Sequence, residues 1–146
     1  MTIRRAERGD VPGILAIEQS AVGAAHWSSS KYIEIIEGSG LNRILISEVN
    51  GVLQGFLVAR TLGDEWEIEN IAVAAGMQRQ GVGSQLLCDL LREARRERVA
   101  KIWLEVRESN RSARLLYQKF LFEERSMREN YYHGPVERAI IYMLCL

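Results

Sequence analysis

One short run, Gln78-Arg79-Gln80-Gly81-Val82-Gly83-Ser84, constrains this chain more than any other. Before it, Trp66 to Val73 carries Trp, Ile, Ile and Val with neither Gly nor Pro, and reads as a strand. After it, Val82, Leu86, Leu87, Leu90, Leu91 and Ala94 recur at helical spacing. The glycines therefore lie at a strand-to-helix junction, where they allow a sharp turn and a close approach of ligand to backbone. The first helical turn offers unpaired N–H groups and the positive end of the helix dipole, a ready seat for phosphate or pyrophosphate. No Gly-Lys-Ser/Thr follows, so the run is not a nucleotidase phosphate loop. Leu86 stands where the dinucleotide fingerprint has its third glycine, so it is not that motif either. On the glycines alone, a helix that merely needs a tight start is an equal reading.

With 146 residues, one domain spanning 1–146 is expected, long enough to bury a core without disulfides. Apolar residues at 47% and charged residues at 26% are an ordinary globular mix. A formal net charge of zero supplies no bulk attraction to nucleic acid or an anionic membrane, and neither is expected as a partner. Cys88 and Cys145 have no metal or redox spacing and read as reduced structural thiols of a cytoplasmic protein. No apolar run approaches the ~20 residues of a membrane span. The segment Met1-Thr2-Ile3-Arg4-Arg5 lacks a secretory core. A monomer or weak dimer is expected.

Along the chain, Thr2 to Arg5 reads as a short strand. Asp10 is expected to cap a helix with Pro12 in its first turn. Ser28-Ser29-Ser30 offers caps for a second helix, ended by Gly38 and Gly40. Arg43–Val49 and Val52–Leu62 read as strands joined by Asn50-Gly51, the strongest short hairpin signal. Gly63-Asp64 then turns the chain into the strand that ends at Val73. The helix after the glycines is predicted to about Arg98, followed by a strand at 101–106, a parallel βαβ unit. A helix over about 111–120 and strands at 122–127 and 138–144 complete the chain, with Tyr131, Tyr132, His133, Gly134 and Pro135 in the loop between those strands. The basic residues Arg92, Arg95, Arg96, Arg98 and Lys101 are interleaved with Glu93 and Glu97 and read as a solvated face.

Order and motif together resemble the GNAT family of N-acetyltransferases. The resemblance rests on an antiparallel meander, a strand ending Asn70-Ile71-Ala72-Val73, and Gln78-x-x-Gly81-x-Gly83 opening a helix. It implies an α/β (α+β) fold: a mixed, mostly antiparallel central sheet with one parallel βαβ unit and about four flanking helices. It also implies acetyl-CoA as co-substrate and no metal. Ala25-His26-Trp27-Ser28, Trp103 to Arg107 with Ser109-Asn110, Ala113 to Tyr117, and Asn130-Tyr131-Tyr132 with Ala139-Ile140-Ile141 narrow the likeness. They point to members that act on a protein N-terminal α-amine, such as the N-terminal alanine of a ribosomal protein. By this likeness Ile71, Ala72, Val73, Arg79, Gln80, Gly81, Val82, Gly83, Ser84 and Asn110 contact acetyl-CoA, Glu105 accepts a proton and Tyr117 donates one. The alternatives are a lysine side chain or small free amine as acceptor, or a coenzyme-binding regulatory module without turnover. Leu121 departs from the family pattern, standing where glycine is usual. Arg138 stands where an acidic residue is usual, and the 133–136 loop is short.

The residues read on their own are compatible with this chemistry. Transfer from a thioester to an amine needs a neutral amine, a polarised carbonyl and a proton for the departing thiolate. The sequence shows no nucleophile-plus-base constellation that would point to an acyl-enzyme. Glu105 sits near the end of a parallel strand, where open sheets place ligands, and partial burial would raise its pKa toward a useful base. A surface carboxylate is the competing reading. Glu67, Glu69 and Glu108 are rival bases, Glu69 foremost because it precedes Asn70 to Val73. Tyr117 shares a helix stripe with Asn110 and Arg114, and a half-buried packing tyrosine is its competing reading. Glu69, Tyr131 and Tyr132 are candidates for the acceptor side. His26 and Trp27 read as loop anchors or acceptor contacts.

Overall fold

The structure is a computed structural model and describes residues 1–21, 25–38, 40–133 and 135–146. Seven strands form one sheet in the order β1-β2-β3-β4-β5-β7-β6, from β1 (Thr2–Arg5), β2 (Asn42–Val49), β3 (Val52–Leu62), β4 (Glu65–Val73), β5 (Lys101–Arg107), β6 (Glu123–Tyr132) and β7 (Glu137–Cys145). All neighbours are antiparallel except β4 and β5. The helices are α1 (Val11–Ser20), α2 (Ser29–Glu37), α3 (Val82–Arg96) and α4 (Arg111–Lys119).

Two apolar layers sandwich the sheet. Leu86, Leu87, Leu90, Leu91 and Ala94 of α3 are buried with Trp66, Ile68, Ile102 and Leu104, and Tyr117 of α4 joins them. Burying a leucine of this kind contributes about 1.5–3 kcal/mol, so the stripe read from the sequence is what seats α3. On the opposite face, Ile14 and Ile17 of α1 and Tyr32 and Ile35 of α2 pack with Ile44, Phe56 and Ala72.

The local signals mostly act as read. Asn50 and Gly51 both have positive φ, as a tight hairpin demands. The Ser28 side chain accepts from the Lys31 N–H and caps α2. Asp10 precedes α1 but does not cap it through its side chain. A 3-10 turn (Arg8–Asp10) comes first, and the carboxylate instead accepts from Arg4 and from the Glu7 N–H. Leu121 has φ 69 and closes α4 with the Leu121 N–H on the Gln118 carbonyl and the Phe122 N–H on the Tyr117 carbonyl. This is the Schellman end that normally favours glycine, and a leucine adopts it here. Both cysteines are free and exposed, so neither belongs to the core.

The end of β6 differs from expectation. The structure runs β6 to Tyr132, so Tyr131 and Tyr132 are strand residues rather than loop residues. Between Arg128↔Ala139 and Tyr132↔Glu137 the register slips, with Asn130 at φ 52. Such a bulge re-aims side chains. Gly134, the remaining glycine of that loop, lies outside the described residues.

Candidate active site at the splayed strands

β4 and β5 pair only from Glu65↔Lys101 to Ile68↔Leu104. Beyond that point β5 continues against β7, while β4 continues against β3. The two parallel strands therefore open like a wedge. At the opening, β4 bulges: Asn70 faces Val58 and Ile68 faces Ala59, which leaves Glu69 without a partner in the register. One extra residue flips the alternation of side chains. Trp66 and Ile68 accordingly face the α3 side, whereas Ala72 is buried on the α1 side.

Two cavities meet in the wedge. The smaller, about 350 Å³, is lined by Ile71 to Val73, Gln78, Arg79, Gly81 to Ser84, Asn110, Ser112 and Leu116. The larger, about 960 Å³, is lined by Glu67, Glu69, Glu105, Tyr117, Tyr131, Tyr132, His26 and Trp27, among others. Ala21, Ile71 and Asn110 line both. Glu105 and Tyr117 come from opposite faces of the sheet, since Tyr117 is packed with the α3 layer. Only a splayed sheet lets both reach one cavity.

The glycine turn is built as the sequence suggests. Gly81 is the N-cap of α3 in the left-handed conformation, φ 82. Arg79 is also left-handed, at φ 63. Gly55 of β3 lets the start of α3 approach: a Cβ there would meet the Ala72 carbonyl oxygen and Val82 Cγ1 at 2.9 Å. Of the residues expected at acetyl-CoA, only Gln80 is absent from the cavity wall. Its Nε2 donates instead to the Gly76 carbonyl at 3.2 Å. Asn110 caps α4 with Oδ1 on the Ala113 N–H, so it would meet a ligand through its Nδ2. Lys119, which the sequence reading did not single out, brings Nζ within 3.4 Å of Ser84 Oγ and adds positive charge at the start of α3.

Gly83 also sits where α3 meets α4. It is buried in α3, and a Cβ there would lie 3.3 Å from Leu116 Cδ2 of α4. Gly83→Val should therefore lower stability by about 1–3 kcal/mol through overpacking. Urea denaturation checks this, and an unchanged midpoint would contradict close α3–α4 packing. Weakened coenzyme binding in that variant alone would not isolate the pyrophosphate seat.

The carboxylates differ in their surroundings. Glu105 Oε1 accepts from Arg128 Nη1 at 2.9 Å, with that guanidinium 4.8 Å from the Tyr131 ring centre. Glu69 accepts from Asn42 Nδ2 at 2.5 Å. Burial first, then the charges of Glu69 and Glu105, push Glu67 up to about 7. Burial, followed by Glu105, pushes Tyr132 up to about 12. Tyr117 is 3% exposed and stacks near Phe122 and Tyr142. Its burial holds the phenol well above its ordinary range, so it keeps its proton near neutrality. Arg114 does not join Tyr117 and Asn110 at the cavity; it donates to the Tyr142 hydroxyl and the Glu108 carbonyl. Glu108 and Arg138 pair with each other, and neither lines the cavities described above.

The model of the acetyltransferase (GNAT) family matches residues 12–122. The chain belongs to the GNAT family. GNAT acetyltransferases draw their acetyl group from acetyl-CoA, and the glycine turn, the open edge of β4 and the added Lys119 suit a pyrophosphate and its pantetheine arm. The chain is similar to the ribosomal protein bS18-alanine N-acetyltransferase of Escherichia coli K12, 39% identical over 131 residues, which cover 90% of this chain and 86% of the relative. The Haemophilus influenzae enzyme of the same name is 36% identical over 98% of this chain and 97% of its own. The crystal structure of the ribosomal-protein-S18-alanine N-acetyltransferase from Escherichia coli superposes with a TM-score of 0.89 at 36% identity, covering 99% of this chain and 92% of that one. This GNAT chain has no helix among the described residues long and apolar enough to cross a membrane.

Proposed function

We propose that this GNAT chain acetylates a protein N-terminal α-amine, with the N-terminal alanine of a ribosomal protein as its acceptor and the cytoplasm as its place of work. The observation that carries the reading is the meeting of the two cavities at Ile71 and Asn110. One has the glycine turn for a pyrophosphate; the other is acidic and aromatic, as a cationic chain end requires. The similarity to bS18-alanine N-acetyltransferases supports the choice of acceptor.

Acetyl-CoA supplies a thioester whose carbonyl carbon the amine attacks directly. The first turn of α3, with Arg79 and Lys119, holds the phosphates. Ile71 to Val73 present backbone N–H groups that steady the arm and stabilise negative charge on the carbonyl oxygen. Glu105, with Glu67 beside it, takes the proton from the attacking nitrogen, directly or through one water. Tyr117 gives its proton to the departing sulfur and regains one from solvent. Atoms balance as one amide and one free thiol, with no acyl-enzyme. Glu69, Tyr131 and Tyr132 frame the acceptor.

The test is product mapping. Incubation with acetyl-CoA and an alanine-initiated peptide containing one internal lysine should add one acetyl group, placed by fragment masses on the first residue. Acetyl on the lysine alone would overturn the α-amine reading.

A further inference from the structure

Glu18 of α1, Tyr32 of α2 and Asn70 of β4 are buried together, at 1%, 0% and 6% exposure. Asn70 Nδ2 donates to the Tyr32 hydroxyl at 3.0 Å, and its Oδ1 accepts from the Ala25 N–H at 3.2 Å. The Glu18 carboxylate accepts from the Trp27 N–H. Burial and the neighbouring Glu18 hold the Tyr32 phenol far above its ordinary range, so it stays protonated. Between the two pinned amides stands His26 at φ 57. A non-glycine residue in that region is strained and persists only where its surroundings over-determine it. Here they do: side chains from β4 and α1 grip the backbone on either side of it.

The arrangement is poorly explained by stability alone. Among the described residues Glu18 Oε2 is buried with no hydrogen-bond partner, and an incompletely satisfied buried carboxylate is worse for folding than an apolar side chain. Yet the strained residue is exposed and lines the larger cavity with Ala25 and Trp27. Asn70 ties the same turn to β4 between the bulged Glu69 and the junction residue Ile71.

We infer that Glu18, Tyr32 and Asn70 are positioning residues that lock this turn, and that His26 is thereby presented as a contact for the acceptor peptide beside the reacting amine. The inference rests on the acceptor reading of the larger cavity and adds the residues that set acceptor affinity.

The experiment measures kcat, peptide KM, acetyl-CoA Kd and Tm for wild type, His26→Gly, His26→Asn, Tyr32→Phe and Glu18→Gln, using an alanine-initiated peptide. Glycine is unstrained at positive φ, so His26→Gly should match or exceed the wild-type Tm while peptide KM rises about 10-fold, a loss of binding rather than of chemistry. His26→Asn tolerates the turn but lacks the imidazole, and its KM should rise similarly. Tyr32→Phe and Glu18→Gln should also raise peptide KM and leave acetyl-CoA Kd unchanged. Should Glu18→Gln fail to fold, Tyr32→Phe carries the network test, since it keeps the ring against Trp27 and Phe56. A stabilised His26→Gly with unchanged KM would overturn the contact; a folded Tyr32→Phe with unchanged KM would overturn the network. A wild type that prefers another amine would refute the proposed function instead, and the same variants must then raise the KM of that amine. A wild type that acetylates no amine would remove both.

Discussion

Tyr117→Phe should lower the single-turnover rate of acetyl transfer by roughly 10²–10⁴, the usual worth of a general acid. The ring is retained, so its packing near Phe122 and Tyr142 survives and Tm should move little. Tyr117 lines the larger cavity and not the smaller one, so acetyl-CoA affinity, read by calorimetric titration, should change far less than the rate. The expectation follows from position: α4 brings a buried, protonated phenol through the wedge toward the residues both cavities share. Near-normal single-turnover chemistry in a folded Tyr117→Phe would reduce this tyrosine to a packing residue.

Glu105→Gln should lower kcat/KM by a comparable factor, on the order of 10²–10⁴, and should also move the pH profile. The sign follows from the charges. Burial, then Glu69 and Glu105, raise Glu67 to about 7, so wild-type activity should climb as pH rises through that value and Glu67 loses its proton. Removing the Glu105 charge lowers the Glu67 pKa, and the ascending limb of the residual activity should shift to lower pH. A Glu105→Gln variant with wild-type rates and an unmoved limb would take Glu105 out of the base assignment.

The parts of this site that depend on local pattern were legible in the sequence. The glycine turn, the α3 stripe and the Asn50-Gly51 hairpin obey short-range rules, and the elements around them follow. The family likeness named Glu105 and Tyr117, and the structure brings both to one cavity. The bulge at Glu69 could not be read, because it exists only in the register of β4 against β3. The aim of Tyr131 and Tyr132 likewise depends on a register slip between β6 and β7. Gly83 was read for its ligand and not for Leu116, since a contact between α3 and α4 leaves no periodic trace in either helix. Ala21 reaches the junction only because α1 packs on β3 and β4.

The proposed acceptor of this site is an α-amine. An α-amino group has a pKa near ~8 against ~10.4 for lysine, so at neutral pH roughly a tenth of the first is neutral but only a few parts in ten thousand of the second. That difference is worth about 3 kcal/mol at 1.36 kcal/mol per pKa unit. Glu67, which burial and the neighbouring carboxylates push up to about 7, suits the easier proton. The deciding measurement is kcat/KM at pH 7–8 for two peptides of matched sequence, one with a free N-terminal alanine and no lysine, the other with a blocked N-terminus and one internal lysine. The first should be favoured by on the order of 10²–10³, the ratio set by the neutral fractions; equal or reversed values would contradict the account.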